Sequence, residues 1–509
     1  MTVLVPSDLA SPGPPDEPIV SKPLFTLGPL TGSRWFRSSL RWIVLTVAIV
    51  IGFYRTLVNF YDQSVNGDPG VYRILLPLLM AMCIIGVSRR PVVRVHVFDR
   101  NLDAFVALIL AIIGLSIRVL LTPKLGQTNT IWGLSEMLMG LFVLIGIIIL
   151  WGLRTAWRYR LADLLILGMC PLPFLLIGAE LGGSDAVYGT LSVGIACAYY
   201  LLAAGPERSW LAAAAGLVGG VALAVVLGEL HAWSTVTELV PAIIVIIGLT
   251  AIIIRSGVDR FGSATAPQVI TQKMPLALGL SVVLLVGIVF GVVETGQSAR
   301  LPPQAAPALL PGCSRPPTIA GYRILARSSV AWAPAYFGRG ATWERATYIA
   351  RPHQVVPSLA IDMVQTSRSA TLNNYPPQLT YLSGLLAVQG QPTSVEGIAA
   401  QRAFTNSNLA VDAANRSWLQ LTMSWRNNKA RDKTIERTVI SVPQTLPGVN
   451  LLPPPVPPSR SGVLLGSLGR LVASQPSYLI TPASSVDALA HRVANEVLTK
   501  ARTSKGGCR

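Results

Sequence analysis

The chain reads as a polytopic all-α membrane bundle of about nine transmembrane helices followed by a small extracytoplasmic α+β domain. Three observations lead there. Of its 509 residues, 51% are apolar and only 13% are charged, a composition too oily for one soluble domain of ordinary make-up. Nearly all long apolar runs lie before residue 295. Residues 300–509 hold 22 Lys and Arg against 8 Asp and Glu, so they carry +14 of the chain's +17, and their apolar residues recur at a period of two rather than in long runs.

Residues 1–41 are rich in Pro and Ser, with Lys22, Arg34, Arg37 and Arg41 gathered toward the end. A segment this polar cannot bury enough apolar surface to order itself, which makes it a disordered cytoplasmic tail. It is too long for a signal-peptide n-region and no small-residue cleavage site follows the first apolar run, so that run is an uncleaved anchor.

A membrane crossing needs about 20 mostly apolar residues, and somewhat shorter runs are tolerated. Nine candidates fill residues 42–294, near 42–58, 73–88, 102–121, 131–151, 161–179, 186–204, 211–230, 239–255 and 275–293. Alternate connections carry Arg89, Arg90, Arg94 and Arg100, then Arg154, Arg158 and Arg160, then Arg208, then Arg255, Arg260 and Lys273. The others carry Asp62 and Asp68, then Glu180 and Asp185, then Glu229 and Glu238, with Lys124 as their one base. By the positive-inside rule the first set is cytoplasmic, the N-terminus is inside and the C-terminal domain is outside. The expected location is a bacterial plasma membrane.

Two features inside the runs have structural meanings. Gly216 and Gly220 are spaced to let two helices approach closely. Pro171 and Pro173 after Cys170 are expected to kink or break the fifth run, because each removes a helical hydrogen bond.

Residues 295–318 form a Pro-rich tether. Over residues 319–442 the segments AGYRILAR, ATWERATYIAR, PSLAIDMVQ, RSWLQLTMSWR and RTVISV alternate as strands of a half-exposed sheet, with a helix expected around Gln378 to Ala387. Residues 443–483 are again Pro-rich and irregular. In 484–509, SSVDALAHRVANEVLTKAR is an amphipathic helix with Ser484 or Ser485 as its N-cap. Cys313 and Cys508 bracket this exported half and form a candidate disulfide, as suits an oxidising compartment.

Ionisable groups within crossings mark functional candidates. Arg55, Arg73, Arg118 and Glu136 all fall toward the outer ends of their helices. Arg118 and Glu136 flank one outer connection and are a natural ion pair, with Glu180, Glu229 and His231 able to add to an outward polar pocket. His231 follows Glu229 closely and has the chemistry of a general base.

No zinc spacing, phosphate-binding loop, GxSxG elbow or dinucleotide fingerprint occurs, so neither metal nor cofactor is expected. A basic domain beside a bilayer points to anionic lipid headgroups or anionic wall polymer as partners. Nucleic acid is excluded as a partner by the lack of any recognition motif and by the expected location.

The first outer loop, NFYDQSVNGDPGVYRILLP, leads into a run ending in SRR. A later run ends in LWGLRTAWRYR and is followed by LLILGMCPLPFLL. That order resembles the exosortase/archaeosortase family of membrane cysteine transpeptidases over roughly residues 40–255. The resemblance implies cleavage or sorting of an exported protein substrate at the outer face by a cysteine, an arginine and a histidine. Cys197, Arg208 and His231 stand in those places, although the family's Cys-Ser-Gly is here Cys197-Ala198-Tyr199. Two other classes fit the same layout. One is a multi-span polyprenyl-phosphate-sugar glycosyltransferase using Asp62 or Asp68. The other is a non-enzymatic scaffold of an envelope-assembly complex.

Overall fold

The computed structural model describes residues 34–65, 69–88, 100–122, 132–204, 209–230, 234–256, 276–298, 308–313, 315–351, 358–368, 371–372, 375, 391–406, 417–427, 434–443 and 484–503. The chain divides into two units, Met1–Ile43 and Val44–Arg509. The expected helix at Gln378 to Ala387 lies outside the described residues, as do Arg208, His231 and Cys508.

The long apolar runs fold as helices, in which the backbone satisfies its hydrogen bonds within the segment. The helices are α1 (Arg34–Val65), α2 (Leu76–Ser88, entered through a 3-10 turn at Pro69–Leu75), α3 (Arg100–Ser116, continued by a π turn at Ile117–Leu121) and α4 (Leu134–Trp151). After α4 come four shorter ones, α5 (Leu153–Arg158), α6 (Arg160–Asp163), α7 (Leu165–Gly168) and α8 (Leu172–Glu180). Four longer ones follow, α9 (Asp185–Ala204), α10 (Ser209–Glu229), α11 (Ser234–Ser256) and α12 (Leu276–Ser298).

Among the described residues seven helical stretches are long and apolar enough to cross a membrane, within α1, the Pro69–Ser88 turn and helix, α3 with its π turn, α4, α9, α10 and α11. The other two expected runs differ from these. The fifth is broken between α7 and α8 at Met169, Cys170 and Pro171, where the prolines interrupt the ladder. The ninth is α12, whose apolar stretch Ala277–Val293 is shorter than the seven.

Tight contacts between helices occur where glycine leaves room. A Cβ on Gly220 would lie 2.7 Å from Val193 Cγ1, and one on Gly287 would lie 2.9 Å from Ala48 O. The packing role expected of Gly220 is therefore what the structure shows.

The C-terminal part is an antiparallel sheet of β2 (Tyr322–Ser329), β3 (Thr342–Ala350), β4 (Leu359–Thr366), β5 (Gln391–Val395), β6 (Ile398–Asn406), β7 (Ser417–Asn427) and β8 (Ile435–Pro443). They lie side by side in the order β2-β3-β4-β8-β7-β6-β5, and a short β1 (Ala308–Leu310) pairs parallel to β7. The five segments whose alternation predicted strands became β2, β3, β4, β7 and β8. Strands β1, β5 and β6 were not expected.

Alternation gives the sheet two faces with different partners. On one, Leu359, Ile361, Leu419, Leu421, Ile440 and Val442 pack against α14 (Ser484–Thr503). That helix presents Val486, Leu489, Ala490, Val493, Ala494, Val497, Leu498 and Ala501, the 3–4 residue spacing of an apolar stripe. Each fully buried Val or Leu contributes roughly 1.5–3 kcal/mol. At the helix start, Arg402 Nη1 lies 3.3 Å from Asp487 Oδ1.

On this same face Glu436 pins the start of the domain. The Cys313 N–H donates to Glu436 Oε2 at 3.0 Å, and Gln365 Nε2 donates to the Cys313 carbonyl at 2.7 Å. Cys313 is disulfide-bonded, while Cys83, Cys170 and Cys197 are free thiols.

Burial pushes the Glu436 carboxyl up to about 8, against the pull of the Cys313 N–H. Its unfolded-state value is an ordinary carboxylate one, about 4.3, so the folded state holds the proton more tightly. The stability contributed by the protonated form is complete below about 4.3 and is lost as pH rises through about 8. Thermal unfolding of the sheet domain should accordingly occur at falling temperature from pH 5 to 9, and Glu436→Gln should remove that slope.

Candidate functional site at the junction of helices and sheet

The break in the fifth run makes the site. Pro171 and Pro173 suit the start of α8, where a missing N–H is no loss, and Pro171 O accepts the Leu175 N–H at 2.9 Å. Helix α8 ends in a glycine turn. The Gly183 N–H donates to Gly178 O at 2.8 Å, and Gly183 has φ +67°. A Cβ there would also collide with Ala335 O, so this turn needs glycine both for its conformation and for close approach to α13 (Ala333–Phe337), a short helix of the sheet domain.

Around that contact lies an aromatic cluster. It joins Leu172 and Ala179 of α8 to Ala335, Tyr336 and Phe337 of α13 and to Trp343, Val364, Ile435 and Val439 on the second face of the sheet, with Trp132 and Cys170 at its border. Trp332 packs edge-on against Trp343 with centroids 5.3 Å apart, and Tyr336 against Tyr375 at 5.0 Å.

A buried charge arrangement accompanies the apolar contact. Arg368, in the loop after β4, reaches Asp185 at the start of α9 through Nη2, and its Nη1 lies 3.8 Å from Glu238 Oε1 of α11. Glu238 is 1% exposed, so its charge must be met by a cation or by hydrogen bonds. The Arg368 loop is held from both sides. Its N–H donates to Thr366 Oγ1 at 3.0 Å, Thr366 Oγ1 donates to Phe337 O at 2.6 Å, and Thr371 Oγ1 donates to Arg368 O at 2.8 Å. Next along the sheet face, Asp362 accepts from Trp343 Nε1 at 2.8 Å and from Arg345 Nη2 at 3.0 Å.

Among the helices a second polar group lies close to the break. Tyr72 donates to Gly168 O at 2.6 Å, 3.2 Å from Cys170 O, and stacks on Phe174 at 4.0 Å. Its neighbour Arg73 donates from Nε to Gly70 O at 2.8 Å and from Nη1 to Glu136 Oε1 at 2.7 Å, with its guanidinium 5.3 Å from the Phe60 ring centre. Glu136 sits in the first turn of α4, where the helix dipole favours a carboxylate.

Sequence reasoning paired Glu136 with Arg118. The structure gives Glu136 a direct bond to Arg73, which is buried rather than reaching to an interface. Arg118 is also buried, in the π turn, 5.9 Å from the centre of the Phe53 ring.

Of the residues expected to act, Cys197 is 5% exposed on α9 among Val193, Ala213, Val245 and Leu249. A Cβ on Gly216 would lie 3.7 Å from its Sγ. Its expected partners Arg208 and His231 lie outside the described residues. Glu180 and Glu229 are exposed at the ends of α8 and α10. Among the described residues no group of three or more His, Cys, Asp or Glu is placed to hold a metal ion.

Sequence reasoning missed Arg368. The signal for its partners was visible, since Asp185 and Glu238 were noted as acidic connections, but only their sign was used. Comparison of the chain with protein-family models, curated proteins and solved structures finds no match.

Proposed function

We propose that this is a nine-crossing protein of a bacterial plasma membrane, with its N-terminus in the cytoplasm, that holds or sorts exported polypeptides at the outer face. The observation that carries this reading is the seat of the sheet domain. It rests on α8 and on the starts of α9 and α11 through Arg368, Asp185 and Glu238, and those acidic residues belong to the connections that the arginine asymmetry assigns to the outside. A disulfide at Cys313 with free thiols at Cys83, Cys170 and Cys197 supports the same side for the sheet domain, because oxidised cysteines persist outside the cytoplasm.

Holding without cleavage is favoured over exosortase-like transpeptidation by the surroundings of Cys197. A thiol acts as a nucleophile when an adjacent base or cation stabilises its thiolate, and the Cys197 side chain packs among apolar neighbours. Anionic lipid headgroups or wall polymer, attracted by the basic domain, are accessory partners.

Site-specific photocrosslinking from Leu325, exposed on β2, in living cells tests the reading. Exported polypeptides should be captured in equal amount by the wild type and by Cys197→Ala. Capture of cytoplasmic proteins alone would overturn the outward assignment. Accumulation of unprocessed exported protein in the Cys197→Ala strain only would establish the transpeptidase instead.

A further inference from the structure

The two edges of the sheet are built differently. Strand β5 is five residues long, carries Pro392, and has the turn that follows it tied to α14 through Glu396 and Arg502. Shortness and a proline are common ways of closing an edge. Strand β2 is eight residues long, contains no proline and, among the described residues, pairs only with β3. Arg323 and all of Leu325 to Ser329 are exposed, with Leu325 at 62%, so solvent reaches this edge along most of its length. In an antiparallel ladder every second residue of an edge strand turns its N–H and C=O away from its partner. Strand β2 therefore presents a row of main-chain donors and acceptors to its surroundings.

Charge selects what can pair there. Arg323 and Arg327 stand on the strand itself, and Arg327 Nη2 donates to Pro316 O at 3.4 Å, next to Arg315. Arg351 follows β3, where its N–H donates to Gly321 O, and Arg492 of α14 meets the Tyr322 hydroxyl. All five arginines are exposed. The acidic groups close by are Glu496, which accepts the Ala320 N–H and lies 3.6 Å from Lys500, and Glu344, opposite Ser329. The edge is thus strongly basic. A second copy of the chain would set these arginines against their own kind, and like charges across paired strands are destabilising. A strand with acidic side chains meets the opposite sign.

We infer that β2 is a docking edge, which an extended, acid-rich exported polypeptide joins as an added strand. Main-chain hydrogen bonds supply the attachment and the arginines supply the preference. The bulge between Ile324 and Ala326 turns Leu325 outward, where it offers an apolar contact to the incoming strand. Position fits as well, because β2 ends at Ser329 and the α13 helix that follows packs on Gly183 of α8. A chain leaving the bilayer beside α8 meets this end of β2 first. The inference rests on the preceding reading only in taking its ligand to be an exported polypeptide; strand addition and the choice of charge stand on β2 itself.

The test uses the full-length protein in phosphatidylcholine nanodiscs at low ionic strength, with fluorescein-labelled (Glu-Val)4 amide as probe and anisotropy as the readout. The wild type should bind this peptide and not (Lys-Val)4 amide. The double variant Arg323→Gln with Arg327→Gln should weaken binding about fivefold and unfold at the wild-type temperature, since both side chains are exposed. Methylating every peptide nitrogen of the probe keeps its charge and removes its main-chain donors, and should weaken binding at least about tenfold. Unaltered binding of the methylated peptide would mean a surface for polyanions in general and would overturn the docking edge. No binding by the wild type, equal binding of the lysine peptide, or unaltered binding by the double variant would do the same. So would photocrosslinking from Leu325 to a second copy of the chain in place of the probe. Binding of the probe as expected, together with no capture of exported proteins in cells, would leave the edge standing and remove the sorting reading. Capture in cells without binding of the probe would remove the edge alone.

Discussion

Replacing Arg368 with alanine should unseat the sheet domain and destabilise the full-length protein by about 3–5 kcal/mol, the usual cost of removing one partner from a buried charge pair. The reason is Glu238, at 1% exposure, facing a cation that would no longer be there. The same substitution withdraws the partner of Asp185. Thermal unfolding in nanodiscs reads the stability, and limited proteolysis reads the seat, because the α8–α9 turn should become cleavable as α13 lifts from Gly183. A second substitution, Glu238→Gln, added to Arg368→Ala should recover much of the loss, since it removes the charge left behind. Equal cleavage in wild type and Arg368→Ala would show that the aromatic cluster alone holds the domain.

An effect of similar size is expected among the helices. Glu136→Gln should cost about 3–5 kcal/mol by leaving the Arg73 guanidinium buried beside a neutral group, and Arg73→Leu should cost a like amount. The double variant Arg73→Leu with Glu136→Leu should be close to the wild type, because an apolar pair of similar volume in a buried site is often neutral or better. A double-mutant cycle measured by thermal unfolding gives the coupling directly. Coupling near zero would mean that Glu136 answers mainly to Arg118, as its sequence position suggested.

These two pairs differ in how far the sequence could show them. Helices and strands follow from periodicity, so the apolar runs and the five alternating segments were readable one at a time. The break at Cys170 was readable as well, because proline acts locally through its missing N–H. Strands β5 and β6 were not, since QPTSV contains a proline and IAAQRAFTN is thin in the branched and aromatic residues that mark strands. Pairing of Glu136 was half readable. The chain places Arg73 and Arg118 at similar depth, and only packing chooses between them. Arg368 was opaque, because its meaning depends on which face of the sheet turns toward the helices, and a strand pattern gives the two faces without naming their partners.

The central claim is that the sheet domain sits outside, on the acidic ends of α9 and α11. Labelling with a membrane-impermeant maleimide tests it most directly, in a protein whose free cysteines Cys83, Cys170 and Cys197 are replaced by alanine. Leu325→Cys on β2, where the side chain is 62% exposed, should be labelled in intact cells, whereas Trp157→Cys on α5, 69% exposed beside the arginines 154, 158 and 160, should be labelled only after permeabilisation. The reverse pattern, with Trp157→Cys labelled in intact cells and Leu325→Cys protected, would contradict the account.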